Sequence, residues 1–145
     1  MKTLLTASLA VLALLTTGSA LAAEHIEVKV PGSIEGSCTN DVGWVVEAGD
    51  DRDAVASAVE KQAREKFPKA RTTFNKDNNK KGKSLGRHLV ILEVVQQKGD
   101  CTEKRFGVGF GKDTAAATKD ARSNLGKRAP WWDGKKFEVV HDKAY

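Results

Sequence analysis

The sequence predicts an α+β fold in which two helices pack on one face of an antiparallel sheet, in the order β-β-α-β-β-β-α-β. Two segments carry apolar residues at helical spacing directly after an aspartate that can cap a helix. Alternating apolar segments lie before, between and after them. Gly99-Asp100 separates two of these segments as a two-residue hairpin loop does. Together these patterns indicate the α+β class.

The first 22 residues are predicted to be a secretory signal peptide. Lys2 supplies a positive charge, an apolar run extends from Leu4 to Leu15, and small residues up to Ala22 form a cleavage site. The apolar run is too short to span a bilayer comfortably. We therefore expect an exported protein, periplasmic or secreted, whose mature form is a single domain over residues 23–145 with no membrane span.

Cys38 and Cys101 are the only cysteines of the chain. An oxidising compartment favours a disulfide between two such thiols. A bridge across this separation contributes about 4 kcal/mol in the chain-entropy model. Two buried reduced cysteines or a metal-binding pair are the alternatives, although no histidine lies at ligand spacing from either residue.

The first half of the mature chain is predicted to contain two strands and a helix. Residues 25–30 alternate apolar and polar side chains, and residues 44–46 form a short apolar segment. The helix is predicted to begin after Asp50 or Asp51 and to end at Phe67, before a proline. Its apolar stripe recurs every fourth residue and consists of Val55, Val59, Ala63 and Phe67.

The second half is predicted to contain four strands and a helix. Residues 70–75 are a predicted strand, and residues 76–86 are a lysine-rich segment that we expect to be an exposed, mobile loop. Residues 88–96 are almost all apolar or β-branched, as in a central strand. A strand is predicted to return after the Gly99-Asp100 loop, with Phe106, Val108 and Phe110 on one face. The second helix is predicted from Asp113 or Thr114 to about Leu125, and the last strand at residues 137–140.

Three features of residues 53–126 are similar to those of one known family. Gly86-Arg87-His88 is similar to the end of its first hairpin loop, and residues 106–111 lead directly into an alanine-rich helix. Leu125 lies where that helix carries an apolar residue. The segment thereby resembles the double-stranded-RNA-binding domain, and the resemblance implies an α-β-β-β-α architecture.

The resemblance does not extend to the RNA-binding residues of that family. Its members carry a Lys-Lys-x-Ala-Lys run at the start of the second helix, whereas residues 114–118 here read Thr-Ala-Ala-Ala-Thr. Lys112 and Lys119 flank this position without matching it. Since phosphate attraction dominates such binding, we expect the architecture of the family without its RNA binding.

Charge is distributed in blocks along the chain. Residues 24–60 hold nine acidic and two basic side chains, whereas residues 61–87 hold ten basic and two acidic ones. A basic block of this kind indicates either an acidic partner or a solvated surface that maintains solubility. Its candidate binding residues are Lys76, Lys80, Lys81, Lys83 and Arg87.

Trp131 and Trp132 are the second candidate binding site. One of them is predicted to pack inward, and in an extended chain the other points outward. An exposed tryptophan beside several lysines suits contact with a protein or a glycan. The alternative is that both residues only fasten the last strand to the sheet.

No catalytic residue and no cofactor is predicted. None of the five serines of the mature chain lies in a G-x-S-x-G motif. The alternating glycines at 107, 109 and 111 fit no phosphate-binding pattern, and we expect them to let a helix or neighbouring backbone approach closely. Cleavage after Ala22 creates an Ala23-Glu24-His25 terminus. Its free amine, two backbone amides and the His25 imidazole suit square-planar Cu(II) or Ni(II), and this is the one candidate metal site.

Three functions are compatible with the sequence. The first is an exported non-enzymatic protein that binds another protein, as an inhibitor, an immunity protein or an envelope accessory factor. The second is a binder of polyanions, such as extracellular nucleic acid, lipopolysaccharide or acidic glycan, through the basic segment 61–87. The third is a small secreted hydrolase, for which no motif is present.

Overall fold

The computed structural model describes residues 23–145, and the predicted signal peptide lies outside the described residues. Within them the helices are α1 (Arg52–Lys66) and α2 (Thr114–Arg128). The strands are β1 (His25–Glu35), β2 (Cys38–Asp41), β3 (Val45–Gly49), β4 (Thr72–Asp77), β5 (Asn79–Lys80), β6 (Lys83–Ser84), β7 (His88–Lys98), β8 (Cys101–Gly111) and β9 (Glu138–Ala144). No described helix is both long and apolar enough to cross a membrane.

The longer strands form two separate antiparallel sheets. In the first sheet β1 is central, with β4 paired along one edge and β2 and β3 paired with successive parts of the other. In the second sheet β7 is central, between β8 and β9. The short strands β5 and β6 pair only with each other and form a small hairpin.

The two sheets face each other, and each carries one helix on its outer face. The core between the sheets consists of Ile26, Val28, Val30, Leu89, Ile91, Phe106, Val108 and Phe110. A second cluster, which includes Val90, Leu92 and Leu125, lies between β7 and α2. A third, with Val45 and Val59, lies under α1. The layers are therefore α1, first sheet, second sheet and α2.

The α+β class with antiparallel sheets is confirmed, but the expected single sheet with both helices on one face is wrong. The predicted order is also incomplete, because three strands precede α1 and five lie between the helices. β4 pairs with β1 and not with β7. The physical reason is that β7 is apolar on both faces, and its buried residues Val90 and Ile91 point to opposite sides. One face of β7 is buried by α2, and the other is buried by the first sheet.

This strand pairing also bears on the segment that resembles the double-stranded-RNA-binding domain. Its three long strands are β4, β7 and β8, of which only β7 and β8 pair with each other. The two helices of the segment lie on different sheets. The resemblance stays a prediction.

The predicted helix starts are confirmed. Asp51 caps α1 by accepting a hydrogen bond from Ala54 N at 2.9 Å, and Asp113 caps α2 by accepting one from Ala116 N at 2.8 Å. The apolar stripe of α1 is buried as expected. The predicted end of α2 at Leu125 is wrong, because the helix continues to Arg128.

The glycines of β8 allow α2 to approach the second sheet closely, as expected. A Cβ atom on Gly109 would lie 2.1 Å from Ala117 O, and one on Gly107 would lie 2.6 Å from Ala121 O. Because both obstacles are helix backbone, no side chain fits at these positions without moving α2.

The two layers repeat one structural unit, a feature that the sequence reasoning missed. The first unit consists of β1, β2, β3, α1 and β4, and the second consists of β7, β8, α2 and β9. β1 and β7 are both central strands of 11 residues, and both helices have 15 residues. Gly36 and Gly99 occupy equivalent turns, with φ angles of 57° and 59°. Each is the first residue of a G-x-C-T sequence. The buried residues Val55, Val59 and Ala63 of α1 match Ala117, Ala121 and Leu125 of α2 at constant spacing.

The disulfide joins the equivalent cysteines of the two units. Cys38 and Cys101 are bonded, as predicted, with 6.2 Å between their Cα atoms and 63 residues between them in sequence. Each cysteine is the first residue after the tight turn of its unit. The bridge therefore links the two sheets at one end of the sandwich.

Candidate functional site

A groove with aromatic walls lies between β7 and the connection from α2 to β9. We call it the aromatic groove; its volume is about 570 Å³. It is lined by Glu93, Val94, Val95, Gln96, Trp131, Trp132, Asp133, Lys136, Phe137 and Glu138. The predicted site at Trp131 and Trp132 thus forms part of a concave surface.

Both tryptophans are half-buried, so inward packing is confirmed, and the outward ring expected for an extended chain does not occur because the chain turns here. Trp131, Trp132 and Phe137 pack against the cluster between β7 and α2. The chain is not extended at these positions, and Trp132 and Phe137 meet edge to face with 6.2 Å between ring centroids. Each ring therefore contributes both to the core and to the groove wall.

Hydrogen bonds from a helix and from a tryptophan hold this connection in place. Arg122 of α2 donates to Gly134 O at 2.8 Å, and its guanidinium lies 5.7 Å from the centroid of the Phe137 ring. Trp132 Nε1 donates to Lys136 O at 2.8 Å. The groove wall is therefore fixed before any partner binds, which lowers the entropic cost of binding.

The groove carries more negative than positive side chains. Glu93, Asp133 and Glu138 are acidic and Lys136 is basic. Glu93 lies 4.0 Å from Lys104 of β8, which offsets part of its charge. Among the described residues that line the groove there is no histidine, cysteine or serine, and its ionisable side chains are three carboxylates and one lysine.

The basic segment forms a second exposed feature, which we call the lysine hairpin. It consists of β5, β6 and the turn between them, and it carries Lys80, Lys81 and Lys83. Lys81 and Gly82 have positive φ angles of 52° and 80°, as in a two-residue hairpin turn. The three lysines and nearby Arg87 are exposed, and none forms an ion pair with another described residue.

The lysines of residues 76–86 are exposed, as expected, but the segment forms the end of β4 and the lysine hairpin instead of an irregular loop. The predicted mobility stays a prediction, and a buried asparagine anchors the hairpin. Asn78 is only 2 % exposed. Its Nδ2 donates to Glu24 O at 3.0 Å and to Gly86 O at 3.1 Å, and its Oδ1 accepts from Ile26 N at 3.1 Å. The anchored hairpin projects its lysines from a fixed base.

Lys76 lies apart from these exposed cations. Its Nζ donates to Asp120 Oδ2 at 2.7 Å and to Val108 O at 2.9 Å, which ties β4 to α2 and β8. It also lines a polar cleft of about 430 Å³ beside the lysine hairpin. Glu27 lines the same cleft, and burial, followed by the nearby Asp77, raises the pKa of its carboxyl.

A histidine, a carboxylate and a hydroxyl meet at the N-terminus of α2, but not as a catalytic triad. His88 Nε2 hydrogen-bonds to Asp142 Oδ1, and Thr114 Oγ1 lies 3.1 Å from the same nitrogen. In a triad the carboxylate and the nucleophile occupy different ring nitrogens. When Nε2 donates to the carboxylate it cannot also accept the Thr114 proton, so the hydroxyl is not activated.

A buried ionic cluster connects the two units, and sequence reasoning gave no signal for it. Asp41 is 3 % exposed and accepts from Arg128 Nη1 at 2.9 Å, Arg105 Nη1 at 3.4 Å and Phe106 N at 2.8 Å. Arg128 also stacks 4.2 Å from the centroid of the Phe74 ring. Burial lowers the pKa of the Arg128 guanidinium. The saturated partners of Asp41 indicate a structural role.

The hypothesis of a metal at the mature N-terminus stays a prediction. His25 opens β1 opposite Gly49, and Glu24 O accepts the hydrogen bond from Asn78. Over residues 23–145 no three histidine, cysteine, aspartate or glutamate side chains are grouped so that they could hold a metal ion. The cleavage site on which the hypothesis depends involves residues outside the described range.

Comparison of the chain with protein-family models, with curated proteins and with solved structures found no match.

Proposed function

We propose that this chain is an exported, non-enzymatic binding protein that holds a partner protein in the aromatic groove. The observation that carries the proposal is a concave surface with three half-buried aromatic rings, Trp131, Trp132 and Phe137. Tryptophan is enriched among the residues that dominate protein interfaces, and a preformed pocket is where such residues act. The proposed role is that of an inhibitor, an immunity protein or an envelope accessory factor.

Export is supported by the disulfide between Cys38 and Cys101, since such bridges persist in oxidising compartments. A role without catalysis is supported by the geometry at His88, where the neighbouring hydroxyl is not activated. This observation favours the protein-binding hypothesis over the hydrolase hypothesis.

The proposal is tested by selecting short linear peptides from a displayed library on the immobilised full-length protein. We expect peptides that lose at least about tenfold in affinity against Trp131→Ala or Trp132→Ala, about 1.4 kcal/mol or more each. The matched control is Val139→Ala, which removes an exposed apolar side chain, 50 % exposed, elsewhere on β9.

Because the tryptophans also pack against the core, a second variant separates binding from folding. Val95→Lys places a positive charge on an exposed wall of the groove, at a side chain that is 50 % exposed. We expect this variant to keep the wild-type melting temperature and to lose the peptides. Peptides that bind all three variants as tightly as wild type would contradict the proposal.

A second candidate function, polyanion binding, is favoured by the lysine hairpin. Four exposed cations, Lys80, Lys81, Lys83 and Arg87, surround a fixed turn. Affinity for heparin, duplex RNA or single-stranded DNA should then fall log-linearly with salt concentration. Neutralising the three lysines with glutamine should reduce the slope, whereas Lys61→Gln, Lys66→Gln and Lys69→Gln, a matched set on and after α1, should leave it unchanged. No binding at low salt would contradict this function.

A further inference from the structure

β7 is longer than the strand that pairs with its outer edge. β7 extends from His88 to Lys98, and β8 pairs with its whole length. β9 pairs only with residues 88–93. The segment from Val94 to Lys98 therefore has a neighbouring strand on one side only.

The hairpin turn determines which backbone groups face the open side. In an antiparallel pair closed by a two-residue loop, the two residues that flank the loop form backbone hydrogen bonds with each other. Counting along the strand from there, every second residue bonds to the residue opposite it in the same way. Lys98 flanks the loop opposite Cys101, so Gln96 and Val94 also bond to β8. The N–H and C=O groups of Val95 and Gln97 point away from β8. Within residues 23–145, no hydrogen bond is formed to these two N–H groups or these two C=O groups.

The other edge of the same sheet is protected by side chains, which makes this opening unusual. The amides of Phe106, Val108 and Phe110 on the outer edge of β8 donate to Asp41, Asn124 and Asp120, respectively, at 2.8–2.9 Å. Proteins generally block strand edges in this manner, because an open edge pairs with other chains. An edge left open beside a preformed groove is suited to binding.

The first structural unit shows what kind of segment covers this position. Val95 is equivalent to Gly32 of β1, 63 residues earlier, the spacing of the paired cysteines. Gly32 pairs with Thr72 of β4, and its carbonyl accepts a hydrogen bond from Arg71 N at 2.8 Å. The occupant of the equivalent place in the first unit is thus an extended strand.

The second unit lacks this cover because its connection is longer. Residues 67–71 join α1 to β4, whereas residues 129–137 join α2 to β9. The longer connection contains Trp131, Trp132 and Phe137, and it forms the wall of the aromatic groove instead of continuing along β7. The same insertion therefore opens the strand edge at Val95 and builds the groove beside it. The edge at Gln97 is open in both units, because β4 pairs with β1 only as far as Gly32.

We propose that Val95 and Gln97 bind an extended strand of the partner protein, which pairs with β7 and inserts alternate apolar side chains into the aromatic groove. This inference rests on the proposed function and names its binding mode, strand addition. The open edge of five residues is about 16 Å long. Glu93, Asp133 and Glu138 along the groove favour a strand with a basic residue, as Arg71 is in the first unit.

Amide hydrogen exchange of the full-length protein tests this inference at the two residues concerned. Without ligand, the amides of Val95 and Gln97 should exchange rapidly, whereas those of Val94 and Gln96 should be protected by β8. With saturating amounts of a peptide selected on the protein, the Val95 and Gln97 amides should slow by about 100-fold. Unchanged exchange at both amides in the complex would overturn the inference.

Slow exchange of the Val95 and Gln97 amides in the absence of peptide would also overturn the inference. Repeating the measurement at several protein concentrations identifies what covers the edge. Protection at every concentration would mean that another segment of the same chain covers the edge. Protection that increases with concentration would mean that a second copy covers it.

A pair of variants separates the failure of this inference from failure of the proposed function. Val95→Pro removes an amide that faces the open side, and Val95→Ala keeps that amide while removing the side chain. We expect the peptide to bind Val95→Ala within about threefold of wild type and to lose at least about tenfold in affinity for Val95→Pro. Binding that survives Val95→Pro but not the tryptophan variants would overturn strand addition and leave the proposed function intact.

The peptide itself provides the complementary measurement, since methylating a backbone nitrogen removes one donor without changing the side chains. Strand addition predicts that methylation weakens binding at every second residue only. A uniform response along the peptide, or no response, would overturn the inference. Failure to select any peptide would overturn the proposed function together with it.

Discussion

Asn40 and Glu103 occupy equivalent positions in the two structural units, and the side chain of each binds the backbone of the other unit. Asn40 Nδ2 donates to Thr102 O at 2.6 Å, and its Oδ1 accepts from Lys104 N at 2.6 Å. Glu103 Oε1 in turn accepts from Thr39 N at 3.4 Å. Contacts exchanged in this reciprocal manner are typical of the interface between two identical subunits. Here both halves belong to one chain.

Replacing Asn40 should weaken the contact between the units. Asn40→Ala removes two hydrogen bonds and should lower the free energy of unfolding by about 1–3 kcal/mol. Urea denaturation measures the change, and Asn75→Ala is the matched control because Asn75 is exposed and its side chain forms no hydrogen bond with the described residues. Equal stability of the two variants would contradict a stabilising role for this contact.

The disulfide should contribute a large share of the stability. Replacing both Cys38 and Cys101 with serine should lower the free energy of unfolding by about 4 kcal/mol, since the bridge restricts the unfolded chain. Reduced wild-type protein should unfold at the same urea concentration as the double variant. A double variant as stable as the oxidised protein would show that the contacts between the sheets suffice.

The buried carboxylate of Asp41 should contribute strongly to the stability of the fold. Asp41→Asn leaves Arg105 and Arg128 without their counter-charge and should cost about 3–5 kcal/mol. The matched control is Asp50→Asn, at an exposed position just before α1, for which we expect a change below about 0.5 kcal/mol. Thermal melting distinguishes the two, and a small effect of Asp41→Asn would contradict the structural role of the cluster.

Stability should fall as the pH drops below about 6.5, the unperturbed pKa of histidine. Burial, followed by the charge of Lys143, lowers the pKa of His141, whose ring lies 4.9 Å from that of Trp44. The unfolded chain therefore binds the proton more readily than the folded one, and stability is lost from the unfolded pKa down to the lowered value.

The measurement is the urea midpoint of wild type and of His141→Gln between pH 7.5 and 5, buffer values chosen to bracket the unperturbed pKa of histidine. The substitution should flatten the pH dependence, whereas His25→Gln at the start of β1 is the control outside this cluster. Identical slopes for wild type and His141→Gln would contradict the assignment. Hydrogen bonding from His88 lowers the pKa of Asp142 below 3.8, so its contribution is lost at more acidic pH.

The locally encoded parts of the fold could be predicted from the sequence. Asp51 and Asp113 identify the helix starts because each carboxylate accepts a hydrogen bond from a free backbone amide in the first turn, which depends only on neighbouring residues. The Gly99-Asp100 turn and the close approach at Gly109 were also evident, since each depends on a few neighbouring residues. The disulfide followed from there being only two cysteines.

The pairing of distant strands could not be predicted. Alternation within residues 72–77 shows that they form a strand, but it does not show whether the partner is β1 or β7. The repeated G-x-C-T sequence around Cys38 and Cys101 was the signal that could have revealed two units and therefore two sheets. A sequence repeated at a constant spacing indicates a repeated structural unit.

The candidate site was predicted in part. Trp131 and Trp132 lie in a groove, but the open edge at Val95 depends on where β9 stops pairing, which no local pattern encodes. Lys76 was grouped with the exposed cations because sequence alone does not reveal its partner Asp120, 44 residues away.

The most direct test of the central claim is a chemical-shift map of the isotope-labelled full-length protein with a peptide selected on it. The aromatic groove and the lysine hairpin lie near opposite ends of β7, so the map separates the two binding functions. We predict that the largest shifts occur at Val95, Trp131, Trp132 and Phe137. Shifts concentrated at Lys80, Lys81 and Lys83 would contradict the account and assign binding to the lysine hairpin.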